Sequence, residues 1–297
     1  MFEFKIDFKI IKRLNIVNDN ENYFNINKFL ETLFSIDNLC KNLVILDFKY
    51  ISFSNLDNIE LNSIKNINKS ELLEQLSLYL FKFKEPFILE LKNLKELKLY
   101  SCENTSFKED SFSSLESLII FDTHIAKPES LIKLPKLEYF SLYLKGTKPE
   151  LIFDFLSTKK LKFIETEAEF FYNFESNLLQ NIDIYFEHKD IFIEKKILKK
   201  LISLKNLKIL KIELKAISNE EILDVYGDNY SVLEAKINWR NKNNDCILFN
   251  FQNKFKNLSY LSLIKRNLGY SEISLQISEN KNCKVNKLKL NITAAQF

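Results

Sequence analysis

Residue types that commonly carry out catalysis or bind metals are sparse in this 297-residue chain. The two histidines, His124 and His188, are far apart, and no C-x-x-C pair occurs among Cys40, Cys102, Cys246 and Cys283. With only three glycines the chain has no phosphate-binding glycine loop, and it lacks G-x-S-x-G and H-E-x-x-H motifs. Glu165 and Asp183 could form a carboxylate pair for acid–base chemistry, but acidic pairs are common on solvated sheets. The sequence therefore predicts a non-catalytic protein with no metal or cofactor site and with reduced, buried cysteines.

Regularly spaced aromatic and acidic residues suit binding better than catalysis. The aromatic set comprises Tyr79, Tyr100, Phe121, Tyr143 and Tyr185, with Tyr139 and Phe163 in a neighbouring column, and the acidic set comprises Glu165, Glu167 and Asp183. Rigid rings side by side bury a large area at low entropy cost and are typical of binding hot spots. The carboxylates could orient a basic partner segment, with Lys211, Lys236 and Lys289 further along the same face. We predict that both sets bind a partner; the alternatives are rings packed in the core or against loops, and carboxylates that form an ordinary solvated surface.

A repeated apolar pattern spaces these candidates along the chain. Its clearest copy is L-x-x-L-x-L-x-x-C at residues 94–102, and a second copy occupies residues 115–123. Weaker copies begin at Ile11, Leu43, Leu73, Leu137, Leu161, Leu179, Leu207, Val232, Leu258 and Val285. The three apolar positions of each copy are expected to point inward from a short strand and the turn before it. Stacked copies then pair their strands into a parallel sheet, and the alternating residues lie on the opposite face.

The pattern resembles the leucine-rich-repeat signature, and the resemblance extends over nearly the whole chain. It implies an α/β solenoid, a horseshoe with a parallel sheet on its concave face and short helices, 3-10 turns and extended segments on its convex face. In that family the concave strand residues bind partners, and here these are the aromatic and acidic sets. The chain departs from the family after the strand, where a buried asparagine usually satisfies backbone groups, and only Cys102 and Thr123 come close to it.

The repeats predict a single domain over residues 1–297, with an N-terminal cap and first repeat in 1–35 and about eleven further repeats in 36–297. Apolar and charged residues alternate over residues 2–10, which predicts a capping strand. Helices are predicted on the outer face at 27–34, 69–75, 149–156, 193–204 and 218–225, whereas the copies near Leu94 and Leu115 are short and predict outer faces that are extended or a single helical turn. Few residues follow the last copy, so self-association through the C-terminal edge is an open alternative.

Composition limits the classes of partner. The chain is 46% hydrophobic, which excludes disorder, and its 43 basic and 40 acidic residues are interleaved, so the net charge of +3 favours neither nucleic acid nor membrane. No signal peptide and no continuous apolar span is recognisable, which predicts a cytoplasmic protein with the nucleus as an open alternative.

The sequence thus predicts a protein-binding scaffold or regulator without a small-molecule substrate, whose partner it does not identify. One alternative is a substrate-receptor subunit of a ubiquitin-ligase-type complex, although residues 1–35 are too short and strand-like for the usual helical adaptor-binding segment. A further alternative is a nucleic-acid-associated repeat protein, which would require a basic stripe that the interleaved charges do not provide.

Overall fold

The computed structural model describes residues 11–17, 26–35, 41–49, 65–107, 112–125, 132–143, 153–154, 160–172, 178–186, 190–216, 222, 224–239, 254–266, 272–277 and 289–293. The chain divides into two compact units, Met1–Lys160 and Leu161–Phe297. Each unit is a solenoid whose turns contribute strands to a parallel sheet, which confirms the predicted solenoid architecture. The single domain over 1–297 stays a prediction, and the capping strand over 2–10 lies outside the described residues.

The first unit contains most of the short, extended turns. In chain order its described elements are β1 (Arg13–Val17), α1 (Ile26–Ser35), β2 (Ile45–Lys49), a 3-10 helix (Lys65–Lys69), β3 (Gln75–Tyr79), β4 (Lys82–Leu89), β5 (Glu96–Tyr100), β6 (Glu103–Phe107), β7 (Ser117–Phe121), β8 (Ile132–Lys133), β9 (Tyr139–Tyr143) and β10 (Phe153–Asp154). Its main sheet has the order β1-β2-β3-β5-β7-β9, with every neighbouring pair parallel.

Equivalent apolar side chains stack on one another through this sheet. Leu76 pairs with Leu97 and Leu97 with Leu118, and all three are buried. Along β3, β5 and β7 the second and fourth residues are buried while the first and third are half-buried. This is the alternation that a strand with one core-facing side produces. The predicted inward register is therefore confirmed from β3 to β7.

Seven turns in the described part of the chain also contain a fourth buried position, which the apolar pattern did not predict. It lies three residues before the first residue of the apolar pattern and holds Ser70, Leu91, Phe112, Leu134, Leu204, Asn229 and Phe255 in different turns. The N–H of Leu94 donates to the carbonyl of Leu91 at 3.1 Å, and Leu115 donates to Phe112 in the same way. This tight turn precedes the next strand, and its buried residue adds to the apolar core behind the sheet.

A second layer of strands forms the back of the first unit. β4 pairs with β6 in parallel, and β10 pairs with β8 in parallel. The extended outer faces expected near Leu94 and Leu115 agree with β4 and β6. The predicted helix at 149–156 is wrong where it is described, because Phe153 and Asp154 form β10, and the rest of that segment lies outside the described residues. The helix predicted at 69–75 is also wrong, because the 3-10 helix ends at Lys69 and Gln75 begins β3.

The second unit combines strands with longer helical segments. Its described elements are β11 (Phe163–Glu167), α2 (Ala168–Tyr172), β12 (Asn181–Tyr185), α3 (Ile191–Ser203), β13 (Ile209–Leu214), β14 (Glu234–Trp239), β15 (Tyr260–Arg266), β16 (Glu272–Ile277) and β17 (Lys289–Thr293). The helices predicted at 27–34 and 193–204 fall on α1 and α3. Most of the segment 218–225 lies outside the described residues.

The parallel run of the second unit ends at β15. β16 pairs antiparallel with β15, and β17 pairs antiparallel with β16, so that Leu290 lies opposite Leu275. The prediction of a further parallel repeat from Val285 is therefore wrong. A parallel connection needs a crossover of about a dozen residues or more, and the short link from Arg266 to Glu272 allows only a hairpin-like return.

Candidate partner-binding surface

Four aromatic residues stand at the same register position on neighbouring strands of the first unit. Tyr79 pairs with Tyr100 between β3 and β5, Tyr100 with Phe121 between β5 and β7, and Phe121 with Tyr143 between β7 and β9. Each is the last residue of its strand and lies on the face opposite the leucine core. We call this column the aromatic ladder.

The rings of the ladder contact one another at unequal separations. The ring centroids of Tyr79 and Tyr100 are 4.4 Å apart with planes 6° from parallel, and those of Phe121 and Tyr143 are 4.8 Å apart at 19°. Tyr100 and Phe121 are 6.2 Å apart and tilted by 36°. The ladder is thus two closed pairs separated by a wider step. Stacked pairs stabilise a fold by about 0.5 to 1.5 kcal/mol beyond the area they bury.

The ladder remains accessible although its rings stack. Tyr79, Tyr100 and Tyr143 are half-buried, and Phe121 is 46% exposed. A residue of the leucine core would be nearly inaccessible, as Leu78, the neighbour of Tyr79, is. The alternative that these rings belong to the core is therefore excluded.

Three of the ladder strands are followed by a residue in the left-handed backbone conformation, which we call a corner. Leu80, Ser101 and Asp122 directly follow three of the ladder residues and have φ angles of 61°, 50° and 48°. Such a backbone costs an L-residue about 1 to 2 kcal/mol, and glycine is the usual choice for it. Here a hydrogen bond offsets that cost, because the N–H of each corner residue donates to the carbonyl of the ladder residue on the next strand. The N···O distances are 2.8 Å for Leu80 and Ser101 and 2.7 Å for Asp122.

Small polar side chains are buried just beyond two of these corners. The Thr123 hydroxyl accepts a hydrogen bond from the N–H of Cys102 at 3.2 Å and donates to the carbonyl of Phe121 at 3.0 Å. The thiol of Cys102 donates to the carbonyl of Leu78 at 3.4 Å. Burial raises the pKa of Cys102 to about 12, so the thiol keeps the proton that it donates. These contacts fix the backbone beneath the ladder.

The strip beside the ladder is mostly polar. The third residues of the same strands are Ser77, Lys98, Ile119 and Ser141. Lys98 forms an ion pair with Glu96 on its own strand. Nearby, a hydrogen bond from Lys95 to Glu74 at 2.9 Å raises the pKa of Lys95. The apolar part of the ladder is therefore about one residue wide, apart from Ile119.

Tyr139 lies on the same face as the ladder but in a different column. It is the first residue of β9 and pairs with Ser117, in line with Glu96 and Gln75. Tyr139 therefore lies beyond the polar strip, one outward column further from the ladder than predicted.

The remaining predicted site residues lie in the second unit, on β11 and β12. Phe163 pairs with Asn181, Glu165 with Asp183, and Glu167 with Tyr185. All five predicted residues are half-buried, on the face opposite Ile164 and Ile182. Within the second unit the structure brings together Phe163, the acidic set and Tyr185, and within the first unit it brings together Tyr79, Tyr100, Phe121, Tyr139 and Tyr143. The register partner of Tyr185 on β11 is Glu167.

Two of the residues in the predicted charge gradient pair with each other in the second unit. Lys211 on β13 forms an ion pair with Asp183 at 3.1 Å, and Lys236 on β14 is the register neighbour of Lys211. The charges of Asp183 and Lys211 therefore compensate each other within the chain itself. Lys289 lies on β17, where only the backbone is described.

Two buried polar residues with structural roles were missed from the sequence. The Asn229 amide donates to the carbonyls of Leu201, Ile202 and Leu204, and its oxygen accepts from the N–H of Ser231 and Val232. Asn229 occupies the fourth buried position, which holds apolar residues in most turns. That break in the pattern was the signal that could have identified it.

The second residue is Glu194 on α3, which is fully buried. One carboxylate oxygen accepts from the N–H of Lys215 and from the N–H of Ala216, both at 2.9 Å. Its position in the sequence gave no signal, because a glutamate in the first turn of a helix is ordinarily solvated.

Comparison with models of protein families, with curated proteins and with solved structures finds no match to this chain. Within the described part of the chain, no helix is long and apolar enough to cross a membrane. The same residues contain no cluster of three or more His, Cys, Asp or Glu side chains that could hold a metal ion.

Proposed function

We propose that this protein is a non-catalytic binding module of the leucine-rich-repeat type. It binds a protein partner through the face of its first-unit sheet that lies opposite the leucine core. The observation that carries the proposal is the aromatic ladder formed by Tyr79, Tyr100, Phe121 and Tyr143. In this proposal the ladder lies on the concave side of a horseshoe, and the protein acts as a scaffold or regulator.

The ladder has the physical properties of a binding hot spot. Rings that already contact their neighbours have little side-chain entropy left to lose, so binding costs less than it would with free side chains. Phe121 near the centre offers an exposed ring, and the surrounding polar strip can form a hydrated rim. Outward-facing aromatics in a contiguous row are otherwise unfavourable in water, and a partner that covers them explains their placement.

The leucine-rich-repeat assignment is supported by the turns themselves. Three inward apolar positions recur at the register expected of that family, and the strands pair in parallel from turn to turn. Cys102 and Thr123 hydrogen-bond backbone groups of neighbouring turns at the place where the family has an asparagine. A thiol and a hydroxyl can thus supply part of the asparagine's role.

The test is affinity capture from native lysate with the wild-type chain and a Tyr100→Ala, Phe121→Ala, Tyr143→Ala variant. The matched control replaces three exposed aromatics of the second unit, Phe192, Tyr226 and Tyr230, with alanine. All three proteins are first compared by thermal melting, so that only folded chains are used as bait.

We expect a specific protein to be retained by the wild type and the control and lost from the ladder variant. Equal retention by the ladder variant would contradict the proposal and direct attention to other surfaces. Recovery of nucleic acid in place of protein would also contradict it.

A further inference from the structure

Ring geometry restricts what can bind the ladder. The faces of Tyr79 and Tyr100 cover each other, as do those of Phe121 and Tyr143, so the ladder presents mainly ring edges to a ligand. The widest ring separation is the step between Tyr100 and Phe121. Within the described residues, no protein group hydrogen-bonds the Tyr100 hydroxyl. The centre of the ladder therefore offers the exposed Phe121 ring beside a hydroxyl that can donate to a carbonyl.

The backbone beneath the ladder excludes one common mode of peptide binding. β5 and β7 are interior strands that pair with neighbours on both sides, so their N–H and C=O groups are already used. A peptide strand cannot add to the sheet here, because strand addition requires a free edge. An α-helix would also keep its carbonyls bonded internally, and it needs a broader apolar stripe than one column of rings with Lys98 beside it.

A polyproline II segment fits both restrictions. Its backbone forms no internal hydrogen bonds, so its carbonyls are free to accept from a tyrosine hydroxyl. Its three-residue turn advances ~9.3 Å, and two strand spacings of the sheet measure ~9.6 Å. A segment running along the ladder would therefore present equivalent residues to every second ring. One such residue would contact the exposed Phe121 ring.

A carboxylate follows the exposed Phe121 ring in the chain. Asp122 follows Phe121 directly, is half-buried, and uses its backbone N–H to bond the carbonyl of Tyr143. No ion pair engages Asp122 within the part of the chain that is described, whereas Lys98 is already paired with Glu96. A basic residue of the ligand would find its complementary charge here.

We propose that the ladder binds a proline-containing segment of its partner in the polyproline II conformation, with a basic residue of that segment paired to Asp122. This inference rests on the proposed function, since it names the kind of partner that the same surface takes. Tyr100 supplies the hydrogen-bond donor, Phe121 the apolar contact and Asp122 the charge.

The experiment measures binding of labelled peptides to the full chain by fluorescence anisotropy. The probe repeats the triplet Pro-Pro-Arg, a second peptide replaces Arg with Glu, and a third repeats Ala-Ala-Arg, which keeps the charge but favours a helix over polyproline II. We expect the Pro-Pro-Arg peptide to bind at least about fivefold more tightly than either of the others, a difference typical of one lost polar contact.

Conservative variants then locate the site. Asp122→Asn keeps a residue that tolerates the left-handed corner, and Tyr100→Phe removes only a hydroxyl. We expect Asp122→Asn to weaken the Pro-Pro-Arg peptide about fivefold while leaving the Pro-Pro-Glu peptide no weaker, and Tyr100→Phe to weaken both. The matched control is Asp224→Asn in the second unit, whose side chain is 73% exposed, and it should change neither affinity.

Equal or tighter binding of the Ala-Ala-Arg peptide would overturn the inference, as would unchanged affinities in both variants. If a variant does not melt like the wild type, the three peptide affinities of the wild-type chain still test the proposal. A wild-type chain that shows no preference for proline or for the basic residue would contradict it. Ladder-dependent capture of a protein from lysate, without any preference for Pro-Pro-Arg, would leave the proposed function standing and refute this inference alone. Absence of ladder dependence in both experiments would refute both.

Discussion

At the scale of single residues, the turns around the ladder depend on small polar side chains placed inside an apolar core. Cys102 and Thr123 connect the backbone of one turn to the next, and the Cys102 thiol must stay protonated to donate its hydrogen bond. Burial favours that neutral form, because a thiolate would lose its hydration without gaining a counter-ion. The same burial that prevents ionisation makes this thiol a poor nucleophile.

Cys102 makes stability depend on alkaline pH in a defined direction. Its pKa is raised from 9.0 to about 12, so the folded chain retains a proton that the unfolded chain loses. The free energy of unfolding should therefore decrease as pH rises from about 9 towards 12. Urea unfolding at a series of pH values measures this in the wild type and in Cys102→Ser, which keeps a hydrogen-bond donor but does not titrate in that range.

We expect the stability of the wild type to fall more steeply than that of Cys102→Ser over this range, since other titrations are common to both. Parallel curves for the two proteins would show that Cys102 ionises as easily in the folded chain as in the unfolded one.

At the scale of elements, α3 shows how a helix is attached to the strand that follows it. Asp190 caps its first turn by accepting from the N–H of Phe192 at 2.8 Å and of Ile193 at 3.2 Å. Ile197, Leu198 and Leu201 form its buried stripe. Glu194 lies on the same inward side and bonds the chain just after β13, so helix and strand are joined by polar as well as apolar contacts.

Replacing Glu194 distinguishes its acceptor role from its charge. Glu194→Ala leaves the N–H groups of Lys215 and Ala216 without their acceptor, and we expect it to lower the free energy of unfolding by about 1 to 3 kcal/mol. Glu194→Gln keeps an acceptor oxygen and should cost less. Chemical denaturation of both variants makes the comparison, and equal losses would mean that the carboxylate charge, not the acceptor geometry, stabilises the turn.

An element could be predicted from the sequence where burial strongly constrains its residue types. The strands of the main sheets were predictable because each must bury alternating large apolar side chains at a fixed register, as Leu97 and Leu99 do on β5. β4 and β6 were expected at most as extended segments and not as paired strands, since their outward residues include charges that give no repeated leucine signal. The corners at Leu80 and Ser101 could not be predicted, because neither residue type favours a positive φ and the conformation depends on a hydrogen bond that the corner N–H donates to the next turn.

Contacts among the predicted site residues could be predicted only in part, for a related reason. The face on which a strand residue lies follows from the local alternation of apolar and polar residues. The outward positions of Tyr100 and Glu165 could therefore both be predicted. Ring stacking depends on side chains from different turns meeting, which the spacing suggests but does not determine. The pairing of Asp183 with Lys211 likewise depends on two strands that are widely separated in sequence.

At the scale of the whole molecule, each unit is a series of turns in which a strand pairs mainly with those immediately before and after it. Stability in such an array is approximately a sum of turn and nearest-neighbour terms. A defect in one turn is therefore expected to loosen its neighbours more than distant turns. The buried amide of Asn229, which joins α3 to the turn before β14, is a suitable place to create such a defect.

Hydrogen exchange followed by mass spectrometry tests this local coupling. Asn229→Ala removes bonds to three carbonyls and two N–H groups and should destabilise its surroundings by roughly 2 to 4 kcal/mol. We expect faster exchange in peptides from β13, β14 and α3, with β3, β5 and β7 little changed. The control is Asn257→Ala, an exposed residue whose amide bonds the carbonyl of Tyr230 at 2.6 Å. Uniform acceleration throughout the chain would mean that the protein unfolds as one cooperative unit.

The closely stacked ladder also gives the protein a spectroscopic signature of its own. Parallel phenol rings at 4.4 Å couple their electronic transitions, and coupled chromophores held in a chiral array produce intense bands in near-ultraviolet circular dichroism. With twelve tyrosines and one tryptophan in the chain, tyrosine supplies most of the near-ultraviolet absorption. A ligand that changed the tilt between Tyr100 and Phe121 would alter those bands, so occupancy of the ladder could be followed optically without a label.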